Sequence, residues 1–501
     1  MATAKLQWVS IGMTGCLCLL LTACSTTAGS RDETPAPAPR NVILFIGDGM
    51  GISTVTAMRI LDGQRRGMQG EENVLPFERF PHVALSKTYE VNQQVGESSG
   101  TATAILTGNK TKAGFIGIGK DAERGNCASA RGNHLQTALE LAELAGRSTG
   151  VVTTTRLTHA TPAAAYAHVP ERDWESDRDL TDEARQNGCT DIATQLIEFP
   201  YGNGIEVALG GGRIEFLPAS IADPEGSDNG EGRLDNRDLT REWVQKYPNS
   251  AYIWNLQQFD AIDPETTNHL LGLFESDHMN YEADRAEDSA GEPSLAQMTR
   301  LAIEILGRNP NGFFLLVEGG RIDHGHHDNN AYRALTDGIA FADAVAVADE
   351  MTNQDDTLII VTADHSHTFT IAGYSTRGNP ILGKASYNDE KGNPAGMPKL
   401  MGDEKPFTTL GYYTGPGAAW AGGSRPDLSE VDTIDDKNFV QQGAIPAEDD
   451  THGGEDVPVY ARGPGAEHIH GVIEQNEIFN AIYMALNLNE RAGHQTELIL
   501  P

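Results

Sequence analysis

FFLLVEGGRIDHGHH, residues 313–327, is the stretch of this sequence that decides the fold. Its first five residues are apolar without alternation, which is typical of a strand buried on both faces. Two carboxylates and three imidazoles follow within ten residues, namely Glu318, Asp323, His324, His326 and His327. Such oxygen and nitrogen ligands are those that zinc and magnesium use. A polar loop that caps a helix would account for Asp323 alone, but the whole cluster predicts a metal site.

Three other apolar runs end in the same way. They are NVILFI at 41–46, followed by Asp48; GVVTTT at 150–155, followed by His159, Thr161 and Arg172; and TLIIV at 357–361, followed by Asp364 and His365. Segments of helical periodicity separate the runs, so we expect an α/β fold with a large, mostly parallel central sheet and helices on both faces. Ligands bind beyond the carboxyl ends of the strands in such sheets, so these side chains are expected to meet there.

Helices are predicted from Ser53 or Thr54 to residue 61 and over 134–146, 329–351 and 473–488. Another helix, TATAILTG, is predicted to begin near Ser98 and Ser99. Serine is a common N-cap, so capping accounts for one of these two serines. A helix N-terminus also favours a phosphate or an alkoxide, because it presents free N–H groups and the positive end of the helix dipole.

The segment 373–450 is rich in glycine and proline and has little periodicity. Because it is too long for an ordinary loop, we interpret it as a small inserted subdomain. The predicted catalytic α/β domain then comprises residues 41–372 and 451–501, and His452 lies just after the insertion.

The N-terminus has the pattern of an export signal. Lys5 is the only charged residue among the first thirty, and an apolar stretch too short to span a bilayer leads to Leu21-Thr22-Ala23-Cys24. This ending resembles the lipobox of bacterial lipoproteins, which implies a signal peptide over 1–23, acylation of Cys24 and a Pro/Ala-rich tether over 24–40. Ser25 after the cysteine favours the outer membrane. The alternative is an ordinary signal peptide that happens to contain a cysteine.

The net charge bears on the binding partners of the protein, and the cysteine content bears on its cellular compartment. The formal charge of −34 argues against nucleic acid as a partner. If the signal is removed and Cys24 is acylated, Cys127 and Cys189 remain. They either form a disulfide, as an oxidising compartment allows, or stay as two buried thiols.

The sequence resembles the alkaline phosphatases from Asn41 to about Leu488. The motifs that carry the resemblance are NVILFIGDGMG, ESSGTATA, TTTRLTHATPAAAYAH, VEGGRIDHGHH, TADHSH and DDTHGGEDV. The form of VEGGRIDHGHH and the long segment before His452 are most similar to the branch that includes the animal enzymes. The resemblance implies the family's sheet with an inserted crown-type subdomain. It also implies a homodimer, although only a short tether here precedes the first strand, where the animal enzymes have a helical arm.

The resemblance also implies a role for each matching residue. Ser98 is the nucleophile that becomes phosphorylated, and Arg172 binds the phosphate. Two zinc ions and one magnesium ion are held by Asp323, His327 and His452; by Asp48, Asp364 and His365; and by Asp48, Thr161 and Glu318, respectively. His159 and His324 lie near the metals, and Cys127 pairs with Cys189. Glu225, the Phe274 carbonyl, Glu275 and Glu292 fall on the calcium site of the animal branch, although an acidic surface loop would also explain this segment.

The expected activity is hydrolysis of phosphate monoesters through a phosphoserine, with broad specificity for the leaving alcohol. The alternatives are a phosphodiesterase of the same superfamily and a lipoprotein that binds metals for structure or surface adhesion. A sulfatase is excluded because no C/S-x-P-x-R sequence is present. The family usually has aspartate before the nucleophile, and this chain has Glu97, so the resemblance leaves the orientation of Arg172 undecided.

Overall fold

The centre of the fold is a ten-stranded sheet, seen in a computed structural model that describes residues 41–226, 231–418, 420 and 423–488. The described residues all belong to one compact unit. The predicted signal peptide, Cys24 and the tether lie outside the described residues, as do residues 489–501.

Sixteen strands are found within the described ranges, most of them in the central sheet. In chain order they are β1 (Asn41–Gly47), β2 (His82–Lys87), β3 (Ser148–Arg156), β4 (Val207–Gly211), β5 (Ser250–Ile253), β6 (His269–Leu273), β7 (Phe313–Gly319), β8 (Thr357–Ala363), β9 (Ser366–His367), β10 (Phe369–Ile371), β11 (Leu410–Tyr412), β12 (Thr414–Gly415), β13 (Ile445–Pro446), β14 (His452–Gly453), β15 (Val457–Arg462) and β16 (Gly471–Glu474).

The α-helices of the described residues flank this sheet. They are α1 (Ile52–Arg65), α2 (Ser98–Thr107), α3 (Cys127–Ala130), α4 (Ala138–Leu144), α5 (Ala160–Ala163), α6 (Asp182–Asn187), α7 (Ile192–Glu198), α8 (Leu239–Lys246), α9 (Leu256–Asp260), α10 (Leu295–Leu306), α11 (Arg321–His327), α12 (Ala331–Met351) and α13 (Ile478–Ala485). Short 3-10 helices occur at Pro76–Arg79, Asp177–Asp179, Arg213–Glu215, Arg285–Glu287, Pro416–Ala418, Ala466–His468 and Gln475–Glu477. No helix in the described part of the chain has both the length and the apolar character needed to cross a bilayer.

The strand order is β16-β2-β15-β8-β1-β7-β3-β4-β6-β5. All pairs are parallel except those made by β15, which runs antiparallel to both β2 and β8. The predicted mostly parallel α/β sheet is therefore confirmed. The four predicted apolar runs became the adjacent central strands β8, β1, β7 and β3.

Both faces of the sheet are covered, as the unbroken apolar runs indicate. In β1, Val42 and Leu44 pack into one core cluster, and Ile43 and Phe45 pack into the other. The first cluster includes residues of α2, α4 and α13, and the second includes residues of α1, α10 and α12. This two-sided burial explains why the central strands show no polar alternation.

Several helices are shorter or longer than predicted because local contacts fix their ends. The helix predicted over 134–146 begins only at Ala138, where Thr137 and Glu140 form a capping box. The helix predicted over 473–488 covers residues 478–485, since its first residues belong to β16 and a 3-10 turn. Among the described residues of the segment 373–450 there are three short strands and one 3-10 turn, and its status as a separate subdomain stays a prediction.

Candidate metal centre and nucleophile

The predicted ligands meet at the carboxyl ends of four neighbouring strands. Asp48 follows β1, Asp364 follows β8, Glu318 lies near the end of β7, and Thr161 comes five residues after β3. The strand registers align these ends, because Gly47 pairs with Ala363 and Ile46 pairs with Glu318. Parallel pairing therefore brings together carboxylates that are far apart in the sequence.

A first group of ligand atoms combines Asp323, His327, His367 and His452, whose ligand atoms all lie within 4.8 Å of one another. Asp323 and His327 are neighbours on α11 because they are four residues apart. His452 reaches the group because β14 pairs antiparallel with β9. Its Nε2 is 3.2 Å from Nε2 of His327. Three predicted ligands of one ion, Asp323, His327 and His452, are thus brought together.

Backbone carbonyls orient three of the imidazoles. The Nδ1 atoms of His327, His365 and His452 lie 2.8, 3.2 and 2.9 Å from the carbonyl oxygens of Asp450, Ser366 and Gly96, respectively. A carbonyl only accepts hydrogen bonds, so each Nδ1 donates and Nε2 is the nitrogen that can ligate a metal. This arrangement is typical of histidines that ligate metals.

A second group lies beside the first and includes the predicted nucleophile. Ligand atoms of Asp48, Asp323 and His365 lie within 4.8 Å of one another. The hydroxyl of Ser98 is 3.2 Å from Nε2 of His365 and 3.3 Å from both carboxylate oxygens of Asp48. Gly49 permits this close packing, since a Cβ there would lie 2.6 Å from the ring of His367. Asp364 joins the group through its Oδ2, 3.4 Å from Nε2 of His365.

Glu97, and not a serine, caps the helix that carries Ser98. The Glu97 carboxylate accepts hydrogen bonds from the backbone N–H groups of Ser99 and Gly100, so both serines lie inside α2. The prediction that one serine serves as the N-cap is wrong, because the longer glutamate side chain reaches these groups first. The hydroxyl of Ser98 is therefore free to face Asp48 and His365.

Glu97 also settles how Arg172 is held. Arg172 Nη1 donates to Glu97 Oε2 at 2.5 Å, and its Nη2 lies 3.1 Å from Nε2 of His159. Burial raises the pKa of Glu97, but Arg172 and the N–H of Gly114 lower it more, to about 2. The carboxylate is thus ionised at neutral pH and fixes the guanidinium beside the serine. The aspartate of the family is replaced without loss of the ion pair.

A third group fits a hard cation such as magnesium. Asp48, His159 and Glu318 place ligand atoms within 4.8 Å of one another. Thr161 Oγ1, Glu318 Oε1 and Asp364 Oδ2 are buried and make no hydrogen bond of ordinary geometry with the described residues. Buried oxygens are rarely left without partners, so these atoms fit a bound ion.

The close spacing of the buried carboxylates also indicates a bound cation. Burial and the neighbouring Asp364, Asp323 and Glu318 raise the pKa of Asp48 well above its usual range. Burial also raises the pKa of Glu318, to about 7, although hydrogen bonds from Thr153 and Thr155 oppose it. Buried carboxylates this close together repel one another unless cations or protons neutralise them.

His159 and His324 form part of an imidazole cluster beside these groups. Their ring centroids are 5.5 Å apart, and His278 lies 5.3 Å from the first and 4.3 Å from the second. Burial lowers the pKa values of His159 and His324, the latter to about 3, so both rings are neutral. His278 was not predicted, because it follows a different strand and no motif marks it.

The predicted calcium ligands are only partly brought together. Glu225 and Glu275 lie within 4.8 Å of each other, but the third member of the group is Asp288. The carboxylate of Glu292 instead accepts a hydrogen bond from the backbone N–H of Asn280. The assignment of Glu292 to this site stays a prediction, since burial and the nearby Glu275 raise the pKa of Glu292 to about 9. Phe274, the fourth predicted contributor, is buried directly before Glu275.

The expected disulfide is present. Cys127 and Cys189 are bonded, with sulfur atoms 2.05 Å apart, and they join α3 to the loop after α6. The alternative of two free thiols is excluded.

Two further residues at the centre were missed by sequence reasoning. His367 lies 2.5 Å from the Asp323 carboxylate through its Nε2 and 3.0 Å from the Asp450 carboxylate through its Nδ1. Burial raises the pKa of Asp323, but His327 and His367 hold it well below its usual range. The repeated histidine in TADHSH was the only signal in the sequence, and nothing there connected it with Asp450.

Comparisons with known proteins agree with this geometry. A family model described as "Alkaline phosphatase" matches residues 39–488. The human tissue-nonspecific isozyme of alkaline phosphatase is 45% identical over 461 residues, which cover 91% of this chain and 85% of that protein. An alkaline phosphatase of Gadus morhua is 46% identical over 452 residues, covering 89% of this chain and 91% of that protein.

Solved structures show the same similarity. Alkaline phosphatase from Thermus thermophilus has a TM-score of 0.63 and 25% identity, covering 94% of this chain and 96% of that chain. The enzyme from the Antarctic bacterium TAB5 has a TM-score of 0.60 and 25% identity, covering 90% of this chain and 99% of that chain.

Proposed function

Because this chain belongs to the alkaline phosphatase family and is a metal-dependent phosphomonoesterase, we propose that it acts through a phosphoserine on Ser98 beside two zinc ions and one magnesium ion. The observation that carries the proposal is the position of the Ser98 hydroxyl. It lies at the start of α2, 3.2 Å from Nε2 of His365 and 3.3 Å from the Asp48 carboxylate.

Each of the three groups of ligand atoms contributes to one metal site of this proposal, with Asp364 in place of Asp323 in the second and Thr161 in place of His159 in the third. Asp323, His327 and His452 would hold one zinc ion; Asp48, Asp364 and His365 the other; and Asp48, Thr161 and Glu318 the magnesium ion. Imidazole nitrogens in the first two sets suit zinc, whereas the all-oxygen third set suits magnesium. When bound, such ions neutralise developing charge and lower the pKa of a nearby hydroxyl.

Ser98 is the nucleophile of the proposed reaction. Its oxygen forms a bond to phosphorus while the bond from phosphorus to the alcohol oxygen breaks, and the alcohol takes up a proton. Water then attacks the phosphoserine, releasing inorganic phosphate and restoring the serine hydroxyl. The N-terminal end of α2 favours the negative charge that builds up next to Ser98 in both steps.

Arg172 binds the phosphoryl group in this proposal. Glu97, the residue directly before Ser98, holds one end of its guanidinium, and Nη2 at the other end lies 3.1 Å from Nε2 of His159. A planar guanidinium gives parallel hydrogen bonds to two phosphate oxygens, which a lysine does not. Recognition then concentrates on the phosphoryl group, and we expect broad specificity for the leaving alcohol.

The decisive test combines metal analysis, kinetics and trapping of the intermediate. We expect two zinc ions and one magnesium ion per chain, loss of activity on chelation, and a higher kcat/KM for an aryl phosphate monoester than for the matched diester. A preference for the diester would support the phosphodiesterase alternative instead. Metals bound without hydrolysis of either ester would support a structural role.

Two serine variants test the nucleophile. Ser98→Ala is expected to keep its metals and fold but to lose turnover and the acid-trapped phosphoserine seen by mass spectrometry. Ser99→Ala is the matched comparison, and its phosphate label should still map to Ser98. Labelling at residue 99 in the Ser98→Ala protein would move the nucleophile by one position.

A calcium ion bound by Glu225, Glu275 and Asp288 is a further part of the proposal. Burial, together with the charges of Glu225 and Asp288, raises the pKa of Glu275 to about 7. Calcium accepts several carboxylate oxygens. We expect calcium to raise the melting temperature of the parent protein but not that of Asp288→Asn.

Membrane attachment through Cys24 is proposed from the lipobox alone, with the outer membrane as the destination. Mass spectrometry of the mature N-terminal peptide should show an acylated Cys24, and Cys24→Ser should release the enzyme into the soluble fraction. An unmodified N-terminus at another residue would favour the ordinary signal peptide.

A homodimer is proposed from the family resemblance and from one exposed apolar face. Val83 and Leu85 point the same way on β2, and Val472 pairs with Leu85 across β16; all three are exposed. An apolar patch of this kind is typical of a protein contact. Light scattering should show a dimer for the parent and for the exposed control Leu234→Lys. A dimer that persists in Leu85→Lys would place the interface elsewhere.

A further inference from the structure

Asp450 is a buried residue outside the three sets of ligands assigned above. Its backbone carbonyl contacts His327, a ligand of the first set, and its carboxylate contacts His367. We propose that Asp450 is the positioning residue for the zinc site formed by Asp323, His327 and His452. It would act by holding Asp323 through His367 and His327 through its own backbone carbonyl. This inference rests on the proposed function, since it concerns how tightly that zinc ion is bound.

The side-chain path runs from one carboxylate to another through an imidazole. Asp450 Oδ2 is 3.0 Å from Nδ1 of His367, and Nε2 of the same ring is 2.5 Å from Asp323 Oδ1. The ring of His367 therefore bridges the two carboxylates, with one nitrogen at each. Its task is to fix the Asp323 carboxylate.

The backbone path acts on a different ligand. The carbonyl oxygen of Asp450 accepts the hydrogen bond of His327 Nδ1 at 2.8 Å. In return, the N–H of Asp450 donates to the carbonyl of His327 at 2.9 Å. This pair of contacts sets the tautomer of His327 and the direction of its Nε2. One residue thus supports two of the three proposed zinc ligands.

Asp450 is itself firmly held. Its Oδ1 accepts hydrogen bonds from the hydroxyls of Thr368 and, at 2.7 Å, Thr414, and its Oδ2 accepts from the Thr368 N–H at 3.2 Å. Within the described residues, His367 is the only basic side chain in ion-pair distance of Asp450. A buried carboxylate that is held by three hydrogen bonds and has this one basic partner is well suited to orient the His367 ring.

The test measures zinc affinity directly. Asp450→Asn keeps the size and both backbone contacts but removes the charge and one acceptor oxygen. We expect its zinc affinity, measured by chelator competition on the full-length protein, to fall about 10- to 100-fold at one of the two zinc sites. The magnesium content should stay unchanged, because Asp450 contacts no member of that set. Asp432→Asn, an exposed turn residue of the same segment, is the matched control and should bind zinc as the parent does.

A double-mutant cycle separates positioning from general loss of packing. If Asp450 acts through His367, then Asp450→Asn should change zinc affinity less than about twofold in a His367→Gln background. An undiminished effect in that background, or parent-like zinc affinity in Asp450→Asn, would overturn the inference. If Asp450→Asn does not fold, Thr414→Val removes one hydrogen bond to the same carboxylate, and unchanged zinc affinity in that variant would also overturn it.

Failure of the proposed function would look different. In that case the parent itself would bind no zinc at this site. If the parent binds two zinc ions and Asp450→Asn binds them equally well, only the role of Asp450 is contradicted.

Discussion

At the level of single residues, Glu97 combines two tasks that usually fall to different side chains. It caps α2 by accepting hydrogen bonds from two backbone N–H groups, and it forms the ion pair that orients Arg172. Both contacts depend on the negative charge of Glu97. Burial of this charge would be unfavourable without Arg172 as a partner. Helix position and phosphate recognition are therefore coupled through one carboxylate next to the nucleophile.

Replacing Glu97 by alanine should affect stability and phosphate binding together. We expect the free energy of unfolding to fall by about 1–2 kcal/mol from loss of the cap. Without its partner, Arg172 should bind the product less well, and the inhibition constant for inorganic phosphate should rise on the order of tenfold or more. Urea unfolding and product inhibition measure the two effects.

Asn255→Ala is the control, since Asn255 caps α9 in the same way but lies outside the centre. It should lower stability without altering inhibition by phosphate. A Glu97→Ala protein with parent-like phosphate inhibition would show that Arg172 does not depend on this contact.

At the level of elements, Glu143 of α4 and Glu206, directly before β4, form a buried carboxyl pair at the amino end of β3, which is the end of the strand away from the metal groups. Glu143 accepts a hydrogen bond from the Thr149 hydroxyl at 2.6 Å, while Glu206 accepts from the Thr149 N–H at 2.7 Å. Burial and the nearby Glu206 raise the pKa of Glu143 to about 9. Glu143 is therefore protonated in the folded protein at neutral pH.

This pair predicts that stability decreases as the pH rises. The folded state holds a proton on Glu143 that the unfolded state loses above its ordinary pKa of 4.5. The stabilisation that this proton gives the folded protein is fully present below pH 4.5. It declines between pH 4.5 and about pH 9, by at most about 1.4 kcal/mol per pH unit. Glu143→Gln should flatten this decline in unfolding curves measured from pH 5 to pH 9. The exposed Glu304→Gln on α10 should leave it unchanged, and equal slopes for both variants would contradict the assignment.

Comparison of the predicted and observed elements shows which features of the fold local sequence patterns predict. The apolar runs located β1, β3, β7 and β8 because strands buried on both faces leave a clear signal. Helix ends were less accurate, since caps such as Glu97 and Thr137 depend on which side chain reaches the free N–H groups. The antiparallel direction of β15 was not predicted, because strand direction follows from the chain path and not from composition.

At the level of the whole molecule, the proposed metal ions would join parts of the chain more than four hundred residues apart. Asp48 and His452 would ligate neighbouring ions, although they lie at opposite ends of the described chain. Without cations, Asp48, Glu318, Asp323 and Asp364 repel one another in a buried space. Metal binding should therefore stabilise the entire fold and not only the site.

Removal of the metals with a chelator should lower the melting temperature in calorimetry. Each site saturated at a thousand times its dissociation constant contributes about 4 kcal/mol to stability. Adding back zinc and magnesium should restore the parent curve, whereas calcium alone should not. An unchanged melting temperature in the metal-free protein would contradict the assignment of these carboxylates as ligands.

The sequence by itself determined the four central strands, the sheet class and the kinds of ligand at their ends, since periodicity and residue type are local properties that the chain carries wherever it folds. Only the tertiary structure decided that Asp288 joins Glu225 and Glu275, that His278 joins His159 and His324, and that Asp450 supports His327 and His367. Those contacts depend on hydrogen-bond geometry between segments distant in the chain, which no local pattern encodes.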